Sequence, residues 1–329
     1  MTIDEFIKEW HSDSDRLLVH TSGSTGEPKP LWVEKHRMEA SARITCQFLG
    51  LKEGDTALLC LPLDYIAGKM MVVRALTCGL RLISVEPSSH PLKLPLQLEG
   101  EGGRLFAAMV PMQVYSSMQV PEERERLKQI DHLIIGGGAI DDRMAEELKT
   151  FPNNVWSTYG MTETLSHIAL RRLSGPNASL WYTPFEGVRI SLAPDGCLVI
   201  DAPMVCTETL KTNDVAEVKN GLFRILGRKD NVICSGGVKI QIEEVERLLR
   251  HHTTIPFMVT KRRDEKFGEV VVLLTESDDV EAVASLCRRV LPKYWQPRYY
   301  YHVPMLPMTE TGKPARREAE RLVSRLPKS

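Results

Sequence analysis

Thr56-Ala-Leu-Leu-Cys-Leu-Pro-Leu63, followed by Gly68–Cys78 and then Leu80-Arg-Leu-Ile-Ser-Val85, reads as strand, buried helix, strand. The outer runs are almost wholly apolar rather than alternating, the pattern of strands covered on both faces by helices. Similar runs follow at Leu105–Val110, His132–Ile135 and Val155–Thr158, with helical patterns at Pro121–Gln129 and Asp141–Phe151 between them. Such alternation predicts an α/β layer. From about Phe185 the texture changes to short strands with turn signals: Val188–Leu192, Cys197–Ile200, Val215–Val218 and Leu222–Leu226, punctuated by Pro194-Asp-Gly and Lys219-Asn-Gly. This predicts a mostly antiparallel β segment.

Beyond Gly227-Arg-Lys-Asp230 the pattern is compact and mixed. Helices are expected at Ile242–His251, Asp279–Val290 and from Pro314 onward, and strands at Ile255–Thr260 and Glu269–Leu274. The expected fold is α/β. A large N-terminal domain spans residues 1–229, with a mixed α/β sheet and 185–229 mostly β; a small, mobile α+β C-terminal domain spans 230–329. The connector at Arg228–Asn231 is short and polar, as domain boundaries are.

Composition narrows the function classes. With 42 basic and 43 acidic side chains and a net charge of −1, no global field favours nucleic acid or an anionic membrane. The first ten residues are acidic and amphipathic, without the basic and apolar regions of a signal peptide. Apolar runs such as Val270–Leu274 are too short to span a bilayer. The seven cysteines are dispersed, without metal-ligand spacing, and read as buried thiols in a reducing cytoplasm.

The strongest local signal is Thr21-Ser-Gly-Ser-Thr-Gly-Glu-Pro-Lys29, between Leu17-Leu-Val-His20 and Pro30-Leu-Trp-Val33. Glycines let backbone N–H groups approach a phosphate, hydroxyls donate hydrogen bonds and the lysine supplies charge. The flanks are strand–loop–strand, unlike a Walker A loop. By composition alone, a flexible Ser/Gly surface loop fits equally.

The string closely resembles the phosphate loop of the adenylate-forming superfamily, which includes acyl- and aryl-CoA ligases, peptide-synthetase adenylation domains and luciferases. Other segments resemble the same family in chain order. They are Leu61-Pro-Leu-Asp-Tyr-Ile-Ala-Gly68, Gly136-Gly-Gly-Ala139, Ser157-Thr-Tyr-Gly-Met-Thr-Glu-Thr164, Thr212-Asn-Asp214 with Gly227-Arg-Lys-Asp230, Ser235-Gly-Gly-Val-Lys-Ile240 and Thr309-Glu-Thr-Gly-Lys313. The resemblance implies an ATP-dependent, AMP-forming ligase that makes an acyl-adenylate and passes it to a thiol, with ATP, Mg²⁺ and coenzyme A as cofactors or co-substrates. It assigns ATP binding to Thr21, Ser22, Gly23, Ser24, Thr25, Gly26, Lys29, Gly137, Gly138, Ala139, Tyr159, Gly160, Asp214 and Arg228. Lys313, Thr162 and Glu163 become the catalytic set, with Glu163 as the Mg²⁺ ligand, Asp230 the hinge, and Ser235, Gly236 and Gly237 the coenzyme A passage. Physically, an anion attacking the α-phosphate needs cations to offset repulsion. Taken singly, Glu163 also suits a helix N-terminus, Tyr159 a core, and Asp214, Arg228 and Lys313 solvated turns.

Leu61–Arg74 and Tyr159–His167 are similar to the o-succinylbenzoate–CoA ligases of menaquinone biosynthesis. A diacid needs a counter-charge for the carboxylate that does not react. The expected acid-binding residues are Tyr65, Lys69, Arg74, Ser166 and His167; a structural salt bridge at Arg74 is the competing reading. Tyr65 stands where relatives often carry histidine, and Asn213 where many carry glycine. Only twenty residues precede Thr21, against a whole subdomain in typical members. A short form is therefore expected, whose exposed face a homo-oligomer would shield. Other readings are a different aryl- or acyl-CoA ligase, a carrier-protein-loading adenylation enzyme, and a catalytically silent nucleotide-binding relative. The expected partners are a small-molecule acid, ATP and coenzyme A, with no nucleic acid and no membrane insertion.

Overall fold

The computed structural model of the chain describes residues 1–20, 30–95, 103–309 and 314–327. It divides into two compact units. One comprises Met1–Ser191, Val199–Lys211 and Val218–Arg224; the other comprises Leu192–Leu198, Thr212–Glu217 and Ile225–Ser329.

The first unit opens with helix α1 (Ile3–Trp10), started by a capping box between Thr2 and Glu5. Strands β1 (Arg16–His20) and β2 (Pro30–Glu34) pair antiparallel, with His20 opposite Pro30. Then come α2 (Lys35–Leu49), β3 (Thr56–Leu59), α3 (Ile66–Cys78), β4 (Arg81–Ser84), β5 (Leu105–Met109), α4 (Pro111–Gln119), α5 (Pro121–Lys128), β6 (His132–Ile135), α6 (Asp142–Leu148), β7 (Asn154–Gly160), β8 (His167–Arg172) and β9 (Thr183–Pro184).

Seven strands form one sheet in the order β4-β3-β5-β6-β7-β8-β9. The first five run parallel and the last two antiparallel. β3, β5 and β6 are buried at every position, which explains their largely apolar sequence, Thr56 and His132 at the strand starts apart. Leu105, Ala107, Leu133, Ile135 and Val155 pack with Val114, Leu127 and Leu148 from α4, α5 and α6 into one core. β3 stops at Leu59 rather than running to Leu63. The chain there turns back on α3, close enough that a Cβ on Gly68 would lie 2.2 Å from the Pro62 carbonyl oxygen.

Strands β10 (Arg189–Leu192), β11 (Cys197–Asp201), β12 (Leu210–Lys219) and β13 (Leu222–Arg228) follow in a four-stranded sheet, in that order, whose residues are divided between the two units. Asn220 and Gly221, at φ 52° and 76°, make the β12–β13 turn, the left-handed pair that a two-residue hairpin needs. The remainder holds β14 (Val232–Ser235), β15 (Val238–Gln241), α7 (Ile242–Arg250), β16 (Phe257–Asp264), β17 (Gly268–Thr275), α8 (Val280–Val290), β18 (Tyr299–His302) and α9 (Arg316–Arg325). β17 is central, flanked by antiparallel β16 and parallel β18. Its run of apolar residues serves two cores. Val271 and Leu273 face α7 and α8, while Val272 and Leu274 face Ala319 and Val323 of α9. The α/β reading, with an added β segment and an α+β C-terminal part, holds. Among the described residues no helix is long and apolar enough to cross a membrane.

Candidate active site

In an open parallel sheet, ligands bind beyond the carboxyl ends of the strands, near the point where strand order reverses. Here the order reverses at β3, with β4 on one side and β5 on the other. Leu61–Gly68 follows β3, Gly136–Ala139 follows β6, and Tyr159–Glu163 closes β7. Topology alone therefore gathers three of the sequence motifs on one rim.

The Gly136 N–H donates to the Met109 carbonyl (3.0 Å), and a Cβ at Gly136 would sit 2.3 Å from Thr158 Oγ1. Gly137 takes φ 79°. Tyr159 is half-buried, its ring 5.0 Å from Phe223 and 5.8 Å from Tyr182. Thr162 is buried and Glu163 exposed, on a single 3-10 turn at Thr162–Thr164. Leu165 then adopts φ 63° and ψ −35°, and Ser166 N–H donates to the Thr164 carbonyl at 2.7 Å. This is a γ-turn of the rare positive-φ kind, a strained conformation. Thr164 Oγ1, wholly buried, braces it by donating to the Ser166 carbonyl at 2.7 Å. Gly160 makes the fold-back possible, since a Cβ there would lie 2.2 Å from the Ser166 oxygen.

The turn delivers Ser166 and His167 to Arg74. Arg74 Nη2 donates to Ser166 Oγ at 2.8 Å and lies 3.5 Å from Thr45 Oγ1. Ser166 Oγ is 3.1 Å from His167 Nδ1, and His167 Nε2 is 3.2 Å from Thr45 Oγ1. Thr45 gives its proton to the Ser41 carbonyl (3.0 Å), so it must accept from His167 Nε2–H. Nδ1 is then the acceptor for the Ser166 hydroxyl, which accepts in turn from Arg74. Every proton has one consistent place, with His167 neutral. Burial and, secondarily, the Arg74 charge hold that imidazole well below its ordinary 6.5.

Arg74 is 1% exposed. Among the described residues it has no carboxylate partner, and its Nε has no hydrogen bond at all. Among the described residues the expected alternative, a structural salt bridge, is absent. Burial pushes the guanidinium down to about 10. Ionisable thiols lie nearby: Cys78, hydrogen-bonded to Cys46 and close to Arg74 and Arg43, is drawn down to about 7. A cavity of about 10 Å³, lined in part by Ser41, His167 and Phe185, adds room for roughly one water.

Lys69 goes elsewhere. Five residues before Arg74, it points to a different side of α3 and donates to the Leu18 carbonyl of β1 at 2.9 Å. Tyr65 caps α3 without a side-chain bond and is exposed. Thr45 and Thr164 were not singled out from sequence. Thr45 had a detectable signal, a polar residue on the buried stripe Met38, Ala42, Cys46, Leu49 of α2.

In the second unit, Asp214 Oδ1 lies 3.2 Å from Arg228 Nη1, and Arg228 Nη2 lies 3.0 Å from Asp230 Oδ2. Asn213 Nδ2 donates to the same Asp230 oxygen at 3.3 Å. The two residues expected on the ribose and the expected hinge are thus one hydrogen-bonded group. Ser235–Gly237 forms the β14–β15 turn, Gly236 at φ 57° and Gly237 at φ 85°. The loop Thr21–Lys29, including Thr21, Ser22, Gly23, Ser24, Thr25, Gly26 and Lys29, lies outside the described residues, as does Lys313. The strands flanking that loop are β1 and β2, as the strand–loop–strand reading requires.

The model of the family described as AMP-binding enzyme matches residues 5–193, more than half of the chain. The chain belongs to that family. A crystal structure of an acyl-CoA synthetase (AMP-forming)/AMP-acid ligase II-like protein from Dyadobacter fermentans is 33% identical, covers 97% of this chain and 93% of its own, and superposes with a TM-score of 0.64. The 2-succinylbenzoate–CoA ligase of Bacillus mycoides is 26% identical, over 98% of this chain and 73% of that protein. The o-succinylbenzoate coenzyme A synthetase of Bacillus subtilis, in complex with ATP and magnesium ion, shares the fold at a TM-score of 0.76 and 23% identity, over 92% of this chain and 69% of that one.

Proposed function

We propose that the chain is an ATP-dependent, AMP-forming acid–thiol ligase acting on o-succinylbenzoate in menaquinone biosynthesis, with coenzyme A as the thiol. The observation carrying the acid assignment is Arg74, a buried guanidinium with an unbonded Nε and, among the described residues, no carboxylate beside it. Such a charge is costly unless a ligand supplies its partner. A diacid does so with the carboxylate that does not react. The names of the similar 2-succinylbenzoate–CoA ligases support the same acid.

In this reading one carboxylate oxygen of the acid attacks the α-phosphorus of ATP and pyrophosphate leaves. The thiol sulfur of coenzyme A then attacks the acyl carbon and AMP leaves. Lys313 and Lys29 offset the negative charge that accumulates at the first step, and Thr162 orients a phosphate. Magnesium commonly binds through one or two carboxylates plus substrate phosphates. The exposed Glu163 fits that donor set, and a bound ion would neutralise phosphate charge. Asp214 and Arg228 hold the ribose, Asp230 serves as the hinge between the half-reactions, and Ser235–Gly237 borders the thiol's passage. A reducing cytoplasm fits seven cysteines none of which forms a disulfide.

The test is AMP release from ATP, Mg²⁺ and coenzyme A with a panel of acids: o-succinylbenzoate, benzoate, 4-coumarate and medium-chain fatty acids. AMP formation that needs coenzyme A and strongly prefers o-succinylbenzoate is the expected result. Preference for a monoacid would discard the substrate while keeping the chemistry. Absence of both AMP and pyrophosphate with every acid would discard the ligase reading.

A further inference from the structure

Two rings outside every sequence motif stand against Tyr159. Tyr182 directly precedes β9, and Phe223 is the second residue of β13; both belong to the first unit. Their rings stack, 5.3 Å between centres and 21° between planes. Their backbones form an isolated antiparallel bridge. The Tyr182 N–H donates to the Phe223 carbonyl at 2.7 Å, and the Phe223 N–H donates to the Tyr182 carbonyl at 3.2 Å. Phe223 is wholly buried. Tyr182 is half-buried and held at two further points. Its hydroxyl lies 2.9 Å from Ser157 Oγ of β7, and the Arg171 guanidinium of β8 lies 5.4 Å from its ring centre, within the range of a cation–π contact.

Ser157 and Tyr159 are two apart on one strand and so face the same way. The stacked pair therefore forms a wall beside Tyr159, whose ring meets Phe223 edge to face at 77° and Tyr182 at 58°. Such contacts fix a ring's orientation as well as its place. Tyr159 is only half-buried, so its orientation is set from one side while part of it stays open to a ligand.

We propose that Tyr182 and Phe223 are positioning residues for Tyr159 in binding the adenine base. This rests on the reading of Tyr159 as an ATP-binding residue. A ring already held in one orientation loses little freedom when a purine settles on it, so removing its support weakens binding. Tyr182→Leu deletes one aromatic contact and is expected to raise the Kd for AMP about 10-fold. Tyr182→Phe keeps the stack, loses only the contact with Ser157, and stays within about 3-fold of wild type.

AMP binding to the full-length chain is measured by titration calorimetry, with thermal unfolding alongside, for these variants, for Tyr159→Leu and for Tyr159→Leu combined with Tyr182→Leu. Because Tyr182 acts through Tyr159, the double variant binds AMP as weakly as Tyr159→Leu alone, within about 2-fold. A purely structural role predicts additive losses instead. Additive losses, or wild-type affinity in Tyr182→Leu, overturn the proposal. Should Tyr182→Leu fail to fold, Phe223→Leu takes its place in the same cycle, since it keeps an apolar side chain in the core. Tyr159→Leu separates the two readings. If it weakens AMP binding while Tyr182→Leu does not, the positioning role alone fails. If it leaves AMP affinity intact, or if the wild-type protein binds no AMP, the ATP-binding reading of Tyr159 fails and the proposal with it.

Discussion

Replacing Arg74 by methionine asks the protein to fold without a charge that its interior does not balance. Burial lowers the guanidinium to about 10, well below its ordinary value. At about 1.4 kcal/mol per pH unit, holding the cation in the free protein costs about 3 kcal/mol. The sign follows from linkage. The unfolded chain binds the proton more tightly, so the penalty is fully present below about pH 10 and fades as pH rises above it. Methionine has similar length and no charge, so Arg74→Met is expected to melt at or above the wild-type temperature near pH 7, the lost bond to Ser166 Oγ offsetting part of the gain. A diacid carboxylate that pairs with Arg74 loses that partner in the variant. About 3 kcal/mol corresponds to roughly a 150-fold fall in kcat/KM for o-succinylbenzoate. Benzoate, which has no second carboxylate, should change by less than about 3-fold. Steady-state AMP release gives the two ratios and calorimetry the melting temperatures. Equal losses for both acids, or a melting temperature several degrees lower, would show that Arg74 is a structural cation and refute the argument.

Thr45→Val leaves His167 Nε2–H without its acceptor; a buried unsatisfied donor costs about 1–3 kcal/mol, so chemical denaturation should show that loss with a raised KM for the diacid. Because His167 is neutral when folded, and its value lies well below 6.5, the unfolded chain alone takes up a proton as pH falls below about 6.5. Stability should then fall by up to about 1.4 kcal/mol per pH unit, with His132, also lowered chiefly by burial, adding on the same side. His167→Asn should flatten that slope in melts between pH 7 and 5, and an unchanged slope would contradict the neutral assignment. Alkylation of Cys78 by iodoacetamide should titrate near 7 and move upward in Arg74→Met; the same midpoint in both proteins would remove the electrostatic link. Asn213→Gly deletes one hydrogen bond to Asp230, and the ratio of adenylation to thioester rates should shift; an unaltered ratio would count against Asp230 as the hinge.

The parts of the fold visible in sequence were those whose physics is one-sided. His132–Ile135 is readable to the residue because a strand buried on both faces is dominated by apolar side chains, here Leu133, Ile134 and Ile135. β8 was not, because its first residue comes directly after a strained turn and its last two are arginines, leaving no clean period. β14 and β15 were obscured for another reason. Their two-residue glycine turn lies inside Ser235–Ile240, where the same glycines also suit a close approach to a ligand, so the turn signal is ambiguous in sequence. β18, Tyr299–His302, pairs parallel to β17, and no local signal announces a partner more than twenty residues away.

The site shows the same division. Arg74 could be singled out because a cation on an apolar helix is an anomaly within a dozen residues of sequence. What makes it a candidate binding group is a property of its surroundings: the carboxylate that is missing and the hydroxyls that are present. Thr45, 29 positions upstream in α2, and Ser166, 92 positions downstream beyond β7, meet Arg74 only after the sheet has formed and Leu165 has been forced to positive φ. Sequence can therefore nominate a charge, but whether that charge is satisfied depends on three separate elements converging. Here they converge with one hydrogen-bonding pattern, one neutral imidazole and one open nitrogen on the guanidinium. A structural cation is ordinarily given an acid by its own chain; among the described residues Arg74 has none, and this is the ground on which we propose that a ligand carboxylate takes that place.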